Sequence, residues 1–267
     1  MSLAIAVVQN DFIITTSDLA VTYFKPNEEI YKETGRIEPS NKKIKTNLTS
    51  KKTHKVSDKV ILISTGYNVI TETLLVELNE RVKKDADLHE VRVSAKEVMR
   101  NIKKGKVNNL DTILNRLKEE IPYLKDNPDL VSDYWATVLD LIDHPKGLSA
   151  YLVGFGNDGI SGLVDIKANS MARAHKDTSK GYPALVAGEG LSDEYHEAYL
   201  KSLILPEDNR KIGPFMEAMG KIHAHISYTK KGVSVSPEGY YEMLIRDGEN
   251  IEYGAMEFDS SNLYKKN

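Results

Sequence analysis

Ser2, Asp18 and Lys52 are the residues whose types and positions offer this chain a reaction, with Ser64-Thr65-Gly66 ending the segment that Lys52 opens. A hydroxyl residue that becomes the first of its chain attacks a carbonyl carbon with its own α-amine as the base, so no separate His–Asp pair is needed. A free α-amine has a pKa of about 7.7–8.0, close to working pH, so it can take the hydroxyl proton and hand it on to a leaving amine. Removal of Met1 is the condition for Ser2 to act in this way. Each residue also has a plainer reading. Ser2 is then merely the second residue, Asp18 a turn residue ending a strand, Lys52 a solvated cation of Lys51-Lys52, and Gly66 a relief of crowding where a strand meets a helix.

The elements that must position these groups alternate between strand and helix patterns. Leu3 to Val8 and Phe12 to Thr16 are β-rich runs parted by Gln9-Asn10-Asp11, a tight hairpin whose second strand ends at Ser17-Asp18. Residues 25–50, with Pro26, Gly35, Pro39, three Asn and many Lys and Glu, read as a long polar loop without a core stripe, a candidate mobile flap. Lys55 to Gly66 reads as strand, turn and a buried strand. Ile70, Leu74, Leu75, Leu78 and Val82 then form one stripe of an amphipathic helix, with Thr73, Glu80 and Lys83 outside. Ser94 is the expected cap of a second helix ending near Lys104, with Val98 and Ile102 inward.

Two more helices, about 111–121 and 130–143, are separated by Pro122 and Asn127-Pro128 and form a helical insertion over about 105–147. Strands return at Leu148–Gly156, Ile160–Asp165 and Pro183–Ala187. Helices capped by Ser192 and spanning about 212–228 follow, and the expected final hairpin joins Val233-Ser-Val-Ser to Tyr240–Arg246. The order of strands, two helices, strands, two helices and strands suits two packed antiparallel sheets with helices on each outer face, an α+β class.

Composition narrows the function. With 267 residues, 40% apolar and 28% charged, the chain has room for one large domain or two small ones, and we read it as a single domain spanning 1–267. A net charge of −3, with no basic stretch backed by an aromatic stacking platform, argues against nucleic acid. Zero Cys excludes disulfides, thiolate metal sites and a cysteine nucleophile. The short apolar start, soon followed by Asn10-Asp11, reads against a secretory leader, and no run of eighteen apolar residues offers a membrane span. A cytoplasmic protein is expected.

At this point the chain resembles the proteasome-type members of the N-terminal nucleophile (Ntn) hydrolases, a family of four-layer αββα sandwiches. In that family the N-terminal Thr is followed sixteen residues later by an acid, and a Lys stands fourteen residues before a Gly that starts the first helix. Ser2 to Asp18 and Lys52 to Gly66 have these spacings. Leu152-Val153-Gly154 with Asn157-Asp158-Gly159 looks like the family's central hairpin, and Gly188-Glu189-Gly190 like its turn before the third helix. The resemblance implies that Ser2 is the nucleophile, that Asp18 keeps Lys52 charged so that it favours the alkoxide, and that Gly66 N–H faces the oxyanion. It implies amide hydrolysis through an acyl-enzyme, on a peptide or small amide, without cofactor or metal, in a homo-oligomer.

There are departures from that pattern. Ser stands where the family has Thr, Glu189 where it has a small hydroxyl residue, and the acid of its fourth helix falls on His225 or Ser227. A catalytically inactive, proteasome-like assembly or binding protein is therefore the alternative. The other conspicuous residues read structurally. His223 and His225 lie two apart on a helix and cannot share a metal without distortion. Trp135, beside Tyr134, is a core or interface anchor of the insertion. Gly154, Gly156 and Gly159 belong to a hairpin and lack the strand-turn-helix setting of a dinucleotide site, and Asn47-Leu48-Thr49 fits a glycosylation pattern without secretory context.

Overall fold

A computed structural model describes residues 3–34, 37, 39–66, 68–143, 148–166, 182–187, 193–229 and 235–263. The protein has a mixed α+β architecture built on two antiparallel sheets. The first contains β1 (Leu3–Val8), β2 (Phe12–Asp18), β9 (Tyr182–Ala187), β10 (Glu238–Asp247) and β11 (Asn250–Asp259), in the order β11-β10-β2-β1-β9. The second contains β5 (Thr53–Ser57), β6 (Val60–Gly66), β7 (Leu148–Phe155) and β8 (Ser161–Asp165), in chain order. Around them lie α2 (Asn68–Arg81), α3 (Leu88–Lys103), α4 (Leu110–Glu120), α5 (Pro122–Asp126), α6 (Val131–Asp140), α7 (Asp193–Ser202) and α8 (Ile212–Thr229).

The period-two alternation of side chains explains why β1 is apolar without a break. Leu3, Ile5 and Val7, with Phe12 and Ile14 of β2, pack on Phe215, Met219 and Ile222 of α8. Ala4, Ala6, Val8 and Ile13 point the other way and meet Ile61, Ile63, Val153 and Phe155 of the second sheet. The opposite face of that sheet, through Val60, Leu62, Leu152 and Val164, packs against Ile70, Leu74, Val91 and Val98 of α2 and α3. The central strands β1, β2, β6 and β7 are thus buried on two faces, an arrangement compatible with a two-sheet sandwich. The fully buried Ile70, Leu74 and Leu78 of α2 each contribute about 1.5–3 kcal/mol by leaving water.

Four local expectations need correction. The polar loop expected over 25–50 carries regular structure: β3 (Ala20–Pro26) and β4 (Pro39–Thr49) pair as an antiparallel ribbon joined through α1 (Glu28–Thr34). A two-stranded ribbon is held by its backbone ladder, so it needs no apolar stripe to be read in the sequence. Its overlooked signal is the β-rich run Val21-Thr-Tyr-Phe24. The second helix starts not at Ser94 but at Leu88, where Asp87 and Glu90 form a reciprocal capping box. Thr73 is buried rather than outside, because the inserted helices cover that side of α2, with Ile113, Leu117, Trp135 and Val138 joining the same core. The last hairpin pairs β10 with β11, turning at Gly248 with φ +62°; Val233 and Ser234 lie outside the described residues. The edge strand β11 mixes Glu and Gly with its apolar residues, which hid it.

Asp87 does two jobs: Oδ1 accepts the Glu90 N–H at 2.9 Å, and Oδ2 accepts the Asn157 N–H of the β7–β8 turn at 3.0 Å. Asp87→Ala should therefore lower unfolding free energy by about 1–2 kcal/mol in urea titration, whereas Ser94→Ala, inside the helix, should change it by less than about 0.5 kcal/mol. Equal effects would show that the cap is misassigned.

Candidate active site

The ends of two hairpins meet at one edge of the sheets. The register of β1 against β2 sets Ala4 opposite Ser17, so Asp18 lies beside the start of β1. Asp18 is fully buried, and its carboxylate is shared: Oδ1 accepts the Leu3 N–H at 2.7 Å and Oδ2 the Ala20 N–H at 3.0 Å. In the second sheet Ser64 N–H donates to Lys52 O at 2.7 Å, which aligns Lys52 with the end of β6. Lys52 N–H donates in turn to Ser17 Oγ at 3.3 Å and so ties the two sheets together. The buried Lys52 ammonium donates to Ala20 O at 3.0 Å and to Ser50 O at 2.8 Å.

Lys52, Ser64, Gly66 and Asn68 line one small cleft of about 20 Å³. Gly66 closes β6 with φ +119°, a conformation that side chains disfavour, and this frees the chain to turn into α2 two residues later. The hydroxyl of Ser64 is buried in this cleft without a hydrogen-bond partner among the described residues. Lys52 and Gly66 are thereby brought to one cleft, and Asp18, which does not line it, is linked to Lys52 through the N–H and C=O of Ala20. Ser2 lies outside the described residues, as does Gly188-Glu189-Gly190; the amide that joins Ser2 to Leu3 is the one Asp18 holds.

Burial dominates the electrostatics. It pushes the Asp18 carboxyl up to about 6 from an ordinary 3.8, against the opposing pull of the Lys52 charge and of the Leu3 and Ala20 N–H groups. Lys52 is held below its ordinary value, again by burial first, with Asp18 and then Glu72 acting to raise it. Each group thus stabilises the charged form of the other without cancelling the desolvation of either. Burial also lowers His54, one residue into the hydrogen-bonded run after Thr53, to about 4, so it is a neutral imidazole at working pH.

The residues proposed for the fourth-helix acid stand apart from this cleft. His225 Nδ1 lies 2.8 Å from the Tyr199 hydroxyl in a groove of about 520 Å³ formed by α7 and α8, and Ser227 Oγ donates to Ala224 O at 3.0 Å. His223 is fully buried against Ser260 Oγ at 3.0 Å, with burial lowering it to about 4, in keeping with a structural role. Among the described residues no group of three or more His, Cys, Asp or Glu side chains could hold a metal, and no helix is long and apolar enough to cross a membrane.

Sequence reasoning missed Ser17, Ser50, Asn68 and Glu72. Ser17 had a signal in its place next to Asp18, and Asn68 and Glu72 in their i,i+4 spacing at the start of a helix. The hydrogen bonds of Ser50 depend on the ribbon, which was read as a loop. No protein-family model matches the sequence, and no similar protein was found among curated proteins.

The raised pKa of Asp18 has a sign that can be measured. The folded protein keeps a proton that the unfolded chain loses above 3.8, so this contribution is complete below about pH 3.8 and is lost as pH rises through about 6. The stability of the wild type relative to Asp18→Asn should fall by roughly 2 kcal/mol between pH 4 and pH 7, read by urea unfolding at each pH. A difference independent of pH would contradict the buried, proton-retaining carboxyl.

Proposed function

We propose that this chain is an amide-bond hydrolase of the N-terminal nucleophile type: a single four-layer αββα domain in which Ser2, exposed by removal of Met1, attacks an amide carbonyl. The observation that carries the reading is that Lys52 and Gly66 line one cleft while Asp18, linked to Lys52 through Ala20, grips the amide next to Ser2. In this scheme the α-amine of Ser2 accepts the hydroxyl proton as Oγ bonds to the carbonyl carbon. The Lys52 charge favours the oxyanionic nucleophile, and the Gly66 N–H stabilises the tetrahedral oxygen. The protonated amine then gives its proton to the leaving nitrogen, and water releases the acyl group by the reverse sequence.

The inactive, proteasome-like reading draws on one observation. The Lys52 ammonium is engaged by two carbonyl oxygens and the Asp18 carboxylate by two amides, so both groups also serve as struts. Labelling with an amide or β-lactone electrophile separates the two readings. Lys52→Ala should reduce Ser2 acylation by roughly a hundredfold, while Lys51→Ala should change it far less, because Lys51, although it also lines the cleft, places its ammonium over the Tyr240 ring at 3.5 Å. Equal labelling of the wild type, Ser2→Ala and Lys52→Ala would leave the inactive reading standing.

The reading includes self-association in the cytoplasm, since chamber proteins bury helices and sheet edges between like subunits. Light scattering at micromolar concentration should return a mass above the 29.9 kDa of one chain. A mass near 29.9 kDa would rule out the homo-oligomer.

A further inference from the structure

Lys52 is connected to the inserted helices by a continuous line of polar contacts. Its ammonium donates to Ser50 O at 2.8 Å, and the hydroxyl of the same serine donates to Asn68 Oδ1 at 2.8 Å. Asn68 Nδ2 donates to Glu72 Oε1 at 2.7 Å, and Glu72 Oε2 pairs with Arg116 Nη1 of α4 at 2.9 Å. The direction of this line is determined at one end. An ionised carboxylate only accepts, so Asn68 must present its NH2 to Glu72, and its oxygen is left for the Ser50 hydroxyl. Asn68 is also the first residue of α2, two beyond Gly66, so it bears on both the cation and the oxyanion donor of the proposed site.

We propose that Glu72 is a positioning residue for Lys52, acting through Asn68 and Ser50, and that Arg116 holds Glu72 in this role. The proposal rests on the reading of Lys52 as the cation that tunes the nucleophile. It gives the insertion over about 105–147 a function at the site, because α4 supplies the outermost member of the line. Among the described residues, the charged and titratable groups around Lys52 are Asp18 from β2, Lys51 and His54 from its own segment, Glu72 from α2 and, behind it, Arg116 from α4. Among them Asp18 and Glu72 favour the charged ammonium.

The test reads Lys52 itself. Competitive acylation of lysines by acetic anhydride across pH, followed by peptide mass spectrometry, gives the titration of Lys52 whether or not Ser2 reacts. Glu72→Gln should lower the Lys52 midpoint and Glu72→Asp should restore part of it. Arg116→Gln, which releases the Glu72 carboxylate without removing it, should lower the midpoint by less than Glu72→Gln does. Glu80→Ala removes a different contact between α2 and the insertion, Asn109 Nδ2 to Glu80 at 3.3 Å, and should leave the midpoint in place. Glu72→Gln should also lower Ser2 labelling by about tenfold and shift its pH profile, as expected for a displaced catalytic neighbour. An unmoved midpoint in Glu72→Gln, or equal shifts in Glu72→Gln and Arg116→Gln, would overturn the proposal, the latter because mere loosening of α2 acts alike in both. Failure of the wild type itself to label would overturn the hydrolase reading and leave the Lys52 titration to decide the role of Glu72.

Discussion

The shared carboxylate of Asp18 is the constraint on which the site depends. One oxygen secures the amide at the start of β1 and the other the amide at the start of β3, so a single side chain fixes where two strands begin relative to the end of a third. An ionised carboxylate out of contact with water is expensive unless its lone pairs are filled and a cation lies near. Two N–H groups and the field of Lys52 meet most of that requirement, and the carboxyl that titrates near 6 marks the part left unmet. Removing either partner leaves the other charge buried with less support.

Lys52 is the corresponding constraint between the sheets. Its backbone N–H reaches Ser17 of the first sheet while its carbonyl accepts from Ser64 of the second, so the hydrogen bonds of one residue close the edge where the sheets meet. Ala4 and Ala6, small residues on the facing side of β1, keep the layer between the sheets thin enough for this contact. The ribbon and the inserted helices complete the surroundings from outside. Thr137 Oγ1 of α6 donates to Ile37 O at 3.0 Å, and the buried Ile37 joins the core beneath both segments.

Much of this was legible in the sequence, and the gaps have physical causes. Strands buried on both faces, such as Leu3–Val8 and Val60–Ile63, show as unbroken apolar runs, and α2 shows its apolar stripe. The ribbon and β11 were not legible because edge and two-stranded elements owe their order to backbone pairing, which places little demand on side chains. Ser94 was taken for a cap because serine often caps, while the more specific Asp87-Glu90 pair had its cap about two turns earlier. In the candidate site, spacing singled out Asp18, Lys52 and Gly66, of which Lys52 and Gly66 line one cleft. Glu72 was not, because its link to Lys52 runs through a carbonyl, a hydroxyl and an amide that no linear pattern records.

The central claim is that the start of this chain is a nucleophile held at the cleft of Lys52 and Gly66. The most direct measurement is a crystal structure of the untagged protein after exposure to a β-lactone. The account predicts Met1 absent, continuous density from Ser2 Oγ into the acyl group, and the acyl oxygen within about 3 Å of Gly66 N. Met1 still attached, or an unmodified Ser2 lying away from Lys52, would contradict it.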